Sequence, residues 1–169
     1  RTDTGGTNVI VFENCRLIDG TSSEPRERMF VLVEGETIRE VSDTPIRAAA
    51  ARRIDLNGRT LMPGLIDAHV HVYAIHLNQE HTRDMPHTLM MAHAIPRVRG
   101  MLMRGFTTVR DVAGGDFGIK RAIDEGIVVG PRLFVSGRAL SQTGGHGDHR
   151  GRTDDHVPCA CTSALDIMT

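Results

Sequence analysis

The sequence predicts an α/β chain in which a small all-β segment precedes alternating strands and helices. Three observations carry this. Residues 8–63 hold short, β-branched apolar runs separated by turn signals. From Pro63 onward, three further apolar runs alternate with two segments of helical character, and that order makes the strands parallel. The length, 169 residues, suits one domain or one domain with a small appendage.

The elements follow in order. NVIVF at 8–12 is the first strand, and Ile18-Asp19-Gly20 ends the stretch behind it. MFVLV at 29–33 meets TIREV at 37–41 through Glu34-Gly35-Glu36, read as a three-residue hairpin link. RRIDL at 52–56 meets TLM at 60–62 through the turn signal Asn57-Gly58-Arg59, and the alanine run at 48–51 is a short helical or loop passage. LIDAHVHV at 65–72 opens the second part as its first core strand. Residues 86–104 form a helix with Met91, Ile95, Val98 and Leu102 on one stripe, kinked or broken near Ile95 by Pro96, and Gly105 ends it. FTTVRDV at 106–112 is the second strand, and FGIKRAIDEG at 117–126 is a helix opened by Gly-Gly-Asp and stopped by Gly126. RLFVSG at 132–137 is the third strand. The tail from Leu140 to Cys161 reads as a long loop, of the kind that usually serves a site.

Composition narrows the function. The 20 Lys+Arg and 21 Asp+Glu leave a formal charge of -1, and no basic tract exists, so neither nucleic acid nor a membrane surface is an expected partner. No apolar run approaches the roughly 20 residues of a bilayer span. A cytoplasmic location is the expectation, with export left open because the chain starts at Arg1 rather than Met. Three cysteines are too few for a disulfide scaffold.

The candidate chemistry lies at strand ends. His69 and His71, two apart on an extended strand, share one face with Cα atoms about 6.5–7 Å apart, a spacing from which two imidazoles can converge on one ion. A lone pair of this kind is more often structural or solvated. Here Asp67 precedes it, a Pro-Gly turn introduces the strand, and Asp67 or Asp111 could orient the rings from behind. Arg110 and Asp111 end the second strand, and their competing reading is buried structural ion pairing, in which each, pointing to an opposite face, could pair elsewhere.

LMPGLIDAHVHV at 61–72 resembles the P-G-x-I/V-D-x-H-x-H signature of the metal-dependent amidohydrolase superfamily. GFTTVRDVAG at 105–114 and GPRLFVSGRALSQTGGHGD at 130–148 are similar to its imidazolonepropionase-like and Xaa-Pro dipeptidase (prolidase)-like branch. The resemblance implies an amino-terminal β-sandwich portion over residues 1–63, then strands one to three of a (β/α)8 TIM barrel over residues 64–169. It implies His69 and His71 as ligands of a divalent ion, most simply zinc, with two ions in the complete enzyme. The bridging ligand, the second-metal histidines and the catalytic aspartate would come from later strands, so no catalytic residue is assignable here. Lys120 lies in the second helix and is no substitute.

Other residues around the site are weighed in the same way. His146, on the glycine-rich loop after the third strand, is a candidate substrate-binding group, against a solvated loop histidine. Arg138 is divided between loop support and contact with a substrate carboxylate. Asp67, Arg110 and Asp111 are candidates for supporting or structural roles. His149, His156, Cys159 and Cys161 make a poor second metal site, because Cys-x-Cys lacks structural-zinc spacing. Those two cysteines and Cys15 read as small apolar groups, and the methionines at 85–103 as adaptable packing.

At 169 residues the chain is shorter than the roughly 250 of a closed barrel. The expectation is therefore a metal-dependent hydrolase of carbon–nitrogen bonds in the full-length parent, acting on a cyclic amide or an Xaa-Pro-like dipeptide. Two alternatives stand beside it. One is a non-catalytic fragment or interaction module that needs the rest of the barrel. The other is phosphotriesterase- or lactonase-like hydrolysis by the same activated water. A homo-oligomer, or contact with the remainder of the barrel, is the expected protein partner.

Overall fold

The computed structural model describes residues 8–75, 85–137, 139–142, 153 and 165–168, and the chain forms two units, Arg1–Pro63 and Gly64–Thr169.

The first unit is a mixed five-stranded sheet. Its strands are β1 (Val9–Leu17), β2 (Arg26–Glu34), β3 (Thr37–Ser42), β4 (Arg52–Asp55) and β5 (Thr60–Leu61), in the order β3-β2-β1-β4, with β5 also on β1. β1 runs antiparallel to β2, and β2 antiparallel to β3. The β2–β3 link differs from expectation. Glu34 pairs directly with Thr37, so the turn holds two residues, Gly35 and Glu36, with Gly35 at φ 60°. Positive φ at the first turn residue matches the strand twist and costs glycine little.

The turn at Asn57-Gly58-Arg59 does not pair the strands it joins with each other. β4 and β5 both run parallel to β1, at Ile10–Glu13 and at Arg16–Leu17, so Asn57-Gly58 is a jog in one line of pairing. The jog answers a bulge in β1, where Asn14 takes φ 53° and its carbonyl accepts the Gly58 N–H at 2.8 Å. Cys15, Leu17, Met29 and Val31 form the buried core of this unit. Cys15 is fully buried, and its Sγ–H donates to the Met29 carbonyl at 3.2 Å, consistent with a packing role.

The second unit contains β6 (Leu65–Val70), α1 (His87–Met103), β7 (Phe106–Asp111), α2 (Phe117–Asp124) and β8 (Arg132–Val135). β6, β7 and β8 lie side by side and parallel, as the alternating pattern predicts. β6 ends at Val70, two residues short of the predicted strand. Val109, Leu133 and Val72 pack with Ala94 and Val98 of α1, Ile119 of α2, and Val128, which places the core on one face of the sheet. The other face leaves Ile66 73% and Phe134 52% exposed among the described residues.

Pro96 lies inside α1 without breaking it. Its missing N–H would have reached the carbonyl of Ala92, and both residues are on the exposed side, where water can satisfy that carbonyl. The buried stripe runs through Ala94 and Val98, flanked by Met91 and Met101, and this leaves Ile95 38% exposed rather than in the core. Gly105 closes the helix at φ 95°, its N–H donating to the Leu102 carbonyl at 2.9 Å. Asp116 caps α2, its carboxylate accepting the Ile119 N–H at 2.9 Å, which accounts for the Gly-Gly-Asp opening.

Of the loop expected over 140–161, residues 140–142 belong to a strand, and most of the remainder lies outside the described residues. Ala139–Gln142 forms β9, which pairs in parallel with β10, Leu165–Met168. Among the described residues no helix is long and apolar enough to cross a membrane.

Candidate metal centre

His69 belongs to β6 and His71 follows the strand by one residue, at the carboxyl end of the parallel sheet. Open parallel sheets place their sites at that end. The two rings approach edge to face, with centroids 5.2 Å apart and planes at 78°. Both side chains are exposed.

His71 is oriented from behind. Its Nδ1 lies 3.2 Å from the carbonyl oxygen of Ala113, in the loop after β7. A carbonyl can only accept, so Nδ1 carries the proton, and in the neutral ring Nε2 keeps its lone pair. That is the tautomer a metal-binding imidazole requires.

The fit to one ion follows from these distances. An ion about 2.1 Å from a ring nitrogen lies about 3.2 Å from that ring's centroid. Two rings with centroids 5.2 Å apart lie within that reach of one shared ion. Among the described residues, no group of three or more His, Cys, Asp or Glu could hold a metal ion.

Asp111 is the only buried charged group among the described residues, with no exposed surface. Its Oδ2 accepts the Val72 N–H at 2.6 Å, and its Oδ1 accepts the N–H groups of Ala113 and Gly115, each at 2.9 Å. Backbone donors thus satisfy a carboxylate that burial would otherwise penalise. Gly115 has to be small, because a Cβ there would lie 2.6 Å from the Asp111 Cγ.

Neither Arg110 nor Asp111 belongs to any ion pair among the described residues, so the ion pairing considered above is not found there. Neighbours on a strand point to opposite faces. Asp111 turns toward the helices, and Arg110 donates its Nε–H to the Ala68 carbonyl at 2.9 Å on the open side. Asp67 accepts the His69 backbone N–H at 3.0 Å and so supports the strand beside the pair rather than a ring. His146, Arg138, His149, His156, Cys159 and Cys161 lie outside the described residues.

Two features of the site had little sequence signal. The Ala113 carbonyl is a main-chain group, which no residue type announces. Arg97 of α1 reads as an ordinary helix cation, yet its guanidinium donates to the carbonyls of Ala74 and Ile75 and holds the chain leaving β6. Beside it the Tyr73 hydroxyl donates to Asp116 at 3.4 Å. Burial, and then the Asp116 carboxylate, raise the Tyr73 pKa well above its ordinary value, so the phenol stays protonated.

Parallel strands joined by helices, with a histidine pair at their carboxyl ends, define an α/β protein of the kind that builds active sites on strand termini. The chain belongs to the amidohydrolase family, which it matches over residues 60–164. It is similar to a crystallised amidohydrolase, at 46% identity and a TM-score of 0.86 over 95% of this chain and 40% of that one. It is also similar to a prolidase crystallised with N-methylphosphonate-L-proline, at 40% identity and a TM-score of 0.88 over 96% of this chain and 41% of that one. Ochratoxinase of Aspergillus niger is 38% identical over 94 residues, 52% of this chain and 19% of the relative. The chain thus spans about two fifths of the solved relatives and a fifth of the curated one.

Proposed function

We propose that the full-length protein is a metal-dependent hydrolase of carbon–nitrogen bonds, with His69 and His71 holding one divalent ion, most simply zinc. The observation that carries this reading is the histidine pair, with its 5.2 Å spacing and with the Nε2 of His71 left free by the Ala113 carbonyl. Membership of the amidohydrolase family supports it. The three parallel strands are the opening strands of a (β/α)8 barrel, a reading favoured by helices on one face of the sheet and an uncovered opposite face. The first unit is part of a small β-sandwich. Later strands supply the remaining ligands, a second ion and the catalytic acid–base group.

The substrate class is an amide of dipeptide type, Xaa-Pro first, with cyclic amides next. The prolidase relative crystallised with a proline phosphonate supports that order. When bound, a divalent ion supplies activation of a water and polarisation of the scissile carbonyl near neutral pH. The residues of this chain have preparatory roles. His71 presents Nε2 with its proton held at Nδ1, Asp67 braces the backbone of His69, and Asp111 joins the loops after β6 and β7.

The test is hydrolysis of Xaa-Pro dipeptides and cyclic amides by the full-length protein, before and after chelation. His69→Ala and His71→Ala should each abolish turnover, and divalent ions should restore the chelated wild type. Turnover that survives chelation and both substitutions would overturn the proposal.

A further inference from the structure

We propose that Asp111 is the positioning residue that imposes orientation and tautomer on His71, and through them sets the ion affinity of the site. This rests on the metal-binding reading above.

The argument is one of connectivity. Asp111 touches neither imidazole, yet its carboxylate grips the chain on both sides of the His71 ring. Through Oδ2 it holds the N–H of Val72, the residue directly after His71, at 2.6 Å. Through Oδ1 it holds the N–H of Ala113 at 2.9 Å, and the carbonyl of that same residue receives Nδ1–H of His71 at 3.2 Å. A third bond, from the Gly115 N–H at 2.9 Å, closes the loop on itself. The Asp111 carbonyl also accepts the Ser136 N–H at 3.1 Å, and the Gly114 N–H donates to the Gly137 carbonyl at 2.8 Å, which ties this loop to the end of β8.

The ring of His71 therefore sits between two backbone segments fixed by one buried carboxylate. Only an acceptor at both oxygens can make this clamp. An asparagine could still accept from Ala113 and Gly115, but its amide NH2 would face the Val72 N–H, donor against donor. A group hydrogen-bonded directly to a metal-binding histidine is typically worth about 10- to 100-fold in ion affinity, which sets the upper bound for loosening the Ala113 contact through Asp111.

Two variants of the full-length protein perturb the clamp by different routes. Asp111→Asn removes one acceptor. Gly115→Ala keeps the carboxylate but sets a Cβ 2.6 Å from its Cγ and displaces it. Asp116→Asn is the control: it weakens the α2 cap and the Tyr73 contact but does not touch the His71 clamp.

The first readout is the long-range 1H–15N spectrum of the metal-free protein, with the His71 signals identified by their loss in His71→Gln. The wild type should show a protonated Nδ1 and an unprotonated Nε2. Both clamp variants should show tautomer exchange, and the control should match the wild type. The second readout is zinc affinity by competition with a chromophoric chelator, expected to fall in the clamp variants by up to about 100-fold. If Asp111→Asn and Gly115→Ala lose thermal stability while His71 keeps its Nδ1–H signature, the carboxylate is only structural and the proposal is overturned. If the tautomer shifts but His69→Ala leaves zinc affinity unchanged, the positioning role stands and the metal-binding reading fails.

Discussion

Gly64 tests how tightly the start of β6 is set against β7. A Cβ at this position would lie 2.0 Å from Thr107 Oγ1, 2.2 Å from its Cγ2 and 2.6 Å from its Cβ. Rotation about χ1 can move the first two atoms but not the third, which the backbone fixes. Ordinary carbon contacts begin near 3.5 Å, so the strands would have to separate by about 1 Å. The Leu65 N–H donates to the Gly105 carbonyl at 2.8 Å, and such a shift would take it beyond hydrogen-bonding range. One lost backbone bond at about 1 kcal/mol, added to overpacking strain of about 1–3 kcal/mol, gives a destabilisation of about 2–4 kcal/mol for Gly64→Ala. Urea unfolding of the full-length protein followed by circular dichroism would measure it. Adding Thr107→Ala should recover only part of the loss, because the Cβ overlap persists, whereas Thr107→Gly should recover most of it. A Gly64→Ala midpoint indistinguishable from wild type, or no recovery with Thr107→Gly, would refute the close-approach argument.

Other outcomes follow from the same structure. Leu133, 1% exposed on β8, should cost about 2–5 kcal/mol when replaced by alanine, measurable by the same unfolding assay. The Thr21 backbone N–H, its hydroxyl and the Arg26 guanidinium together pull the Asp19 carboxyl down to about 2 from 3.8. Because the folded value is depressed, the contribution of Asp19 to stability is complete above about pH 4 and is lost as pH falls through about 2. Carbon-detected NMR titration of the Asp19 carboxyl should place its midpoint near 2, and a midpoint near 4 would contradict the bonding described.

Much of the second unit was legible in the sequence because its signals are local. Apolar β-branched runs mark β6, β7 and β8, and Gly105 and Asp116 punctuate the helices. The pairing in the first unit was not. Asn57-Gly58 looks the same in a hairpin as in a jog, and the choice is made by the bulge at Asn14, more than 40 positions away. Ile95 was misplaced because a 3.6-residue stripe is wide, and only the packed partner decides which edge of it is buried. At the site, the proximity of His69 and His71 was legible from their spacing, but the Ala113 carbonyl and the clamp at Asp111 were not, since backbone hydrogen bonding across strands leaves no mark in residue type. Ion pairing, expected for Arg110 and Asp111 on their opposite faces of the strand, is absent for both among the described residues, where each finds main-chain partners instead.

In the proposed metal centre His69 and His71 share one ion through a nitrogen of each ring, Nε2 in the case of His71. Anomalous diffraction at the zinc edge, on crystals of the full-length protein grown with zinc, tests it directly. A shared ion gives a peak about 2.1 Å from a nitrogen of each ring, with Nδ1 of His71 still on the Ala113 carbonyl. Zinc bound elsewhere with these two rings empty, or His71 bound through Nδ1, would contradict it.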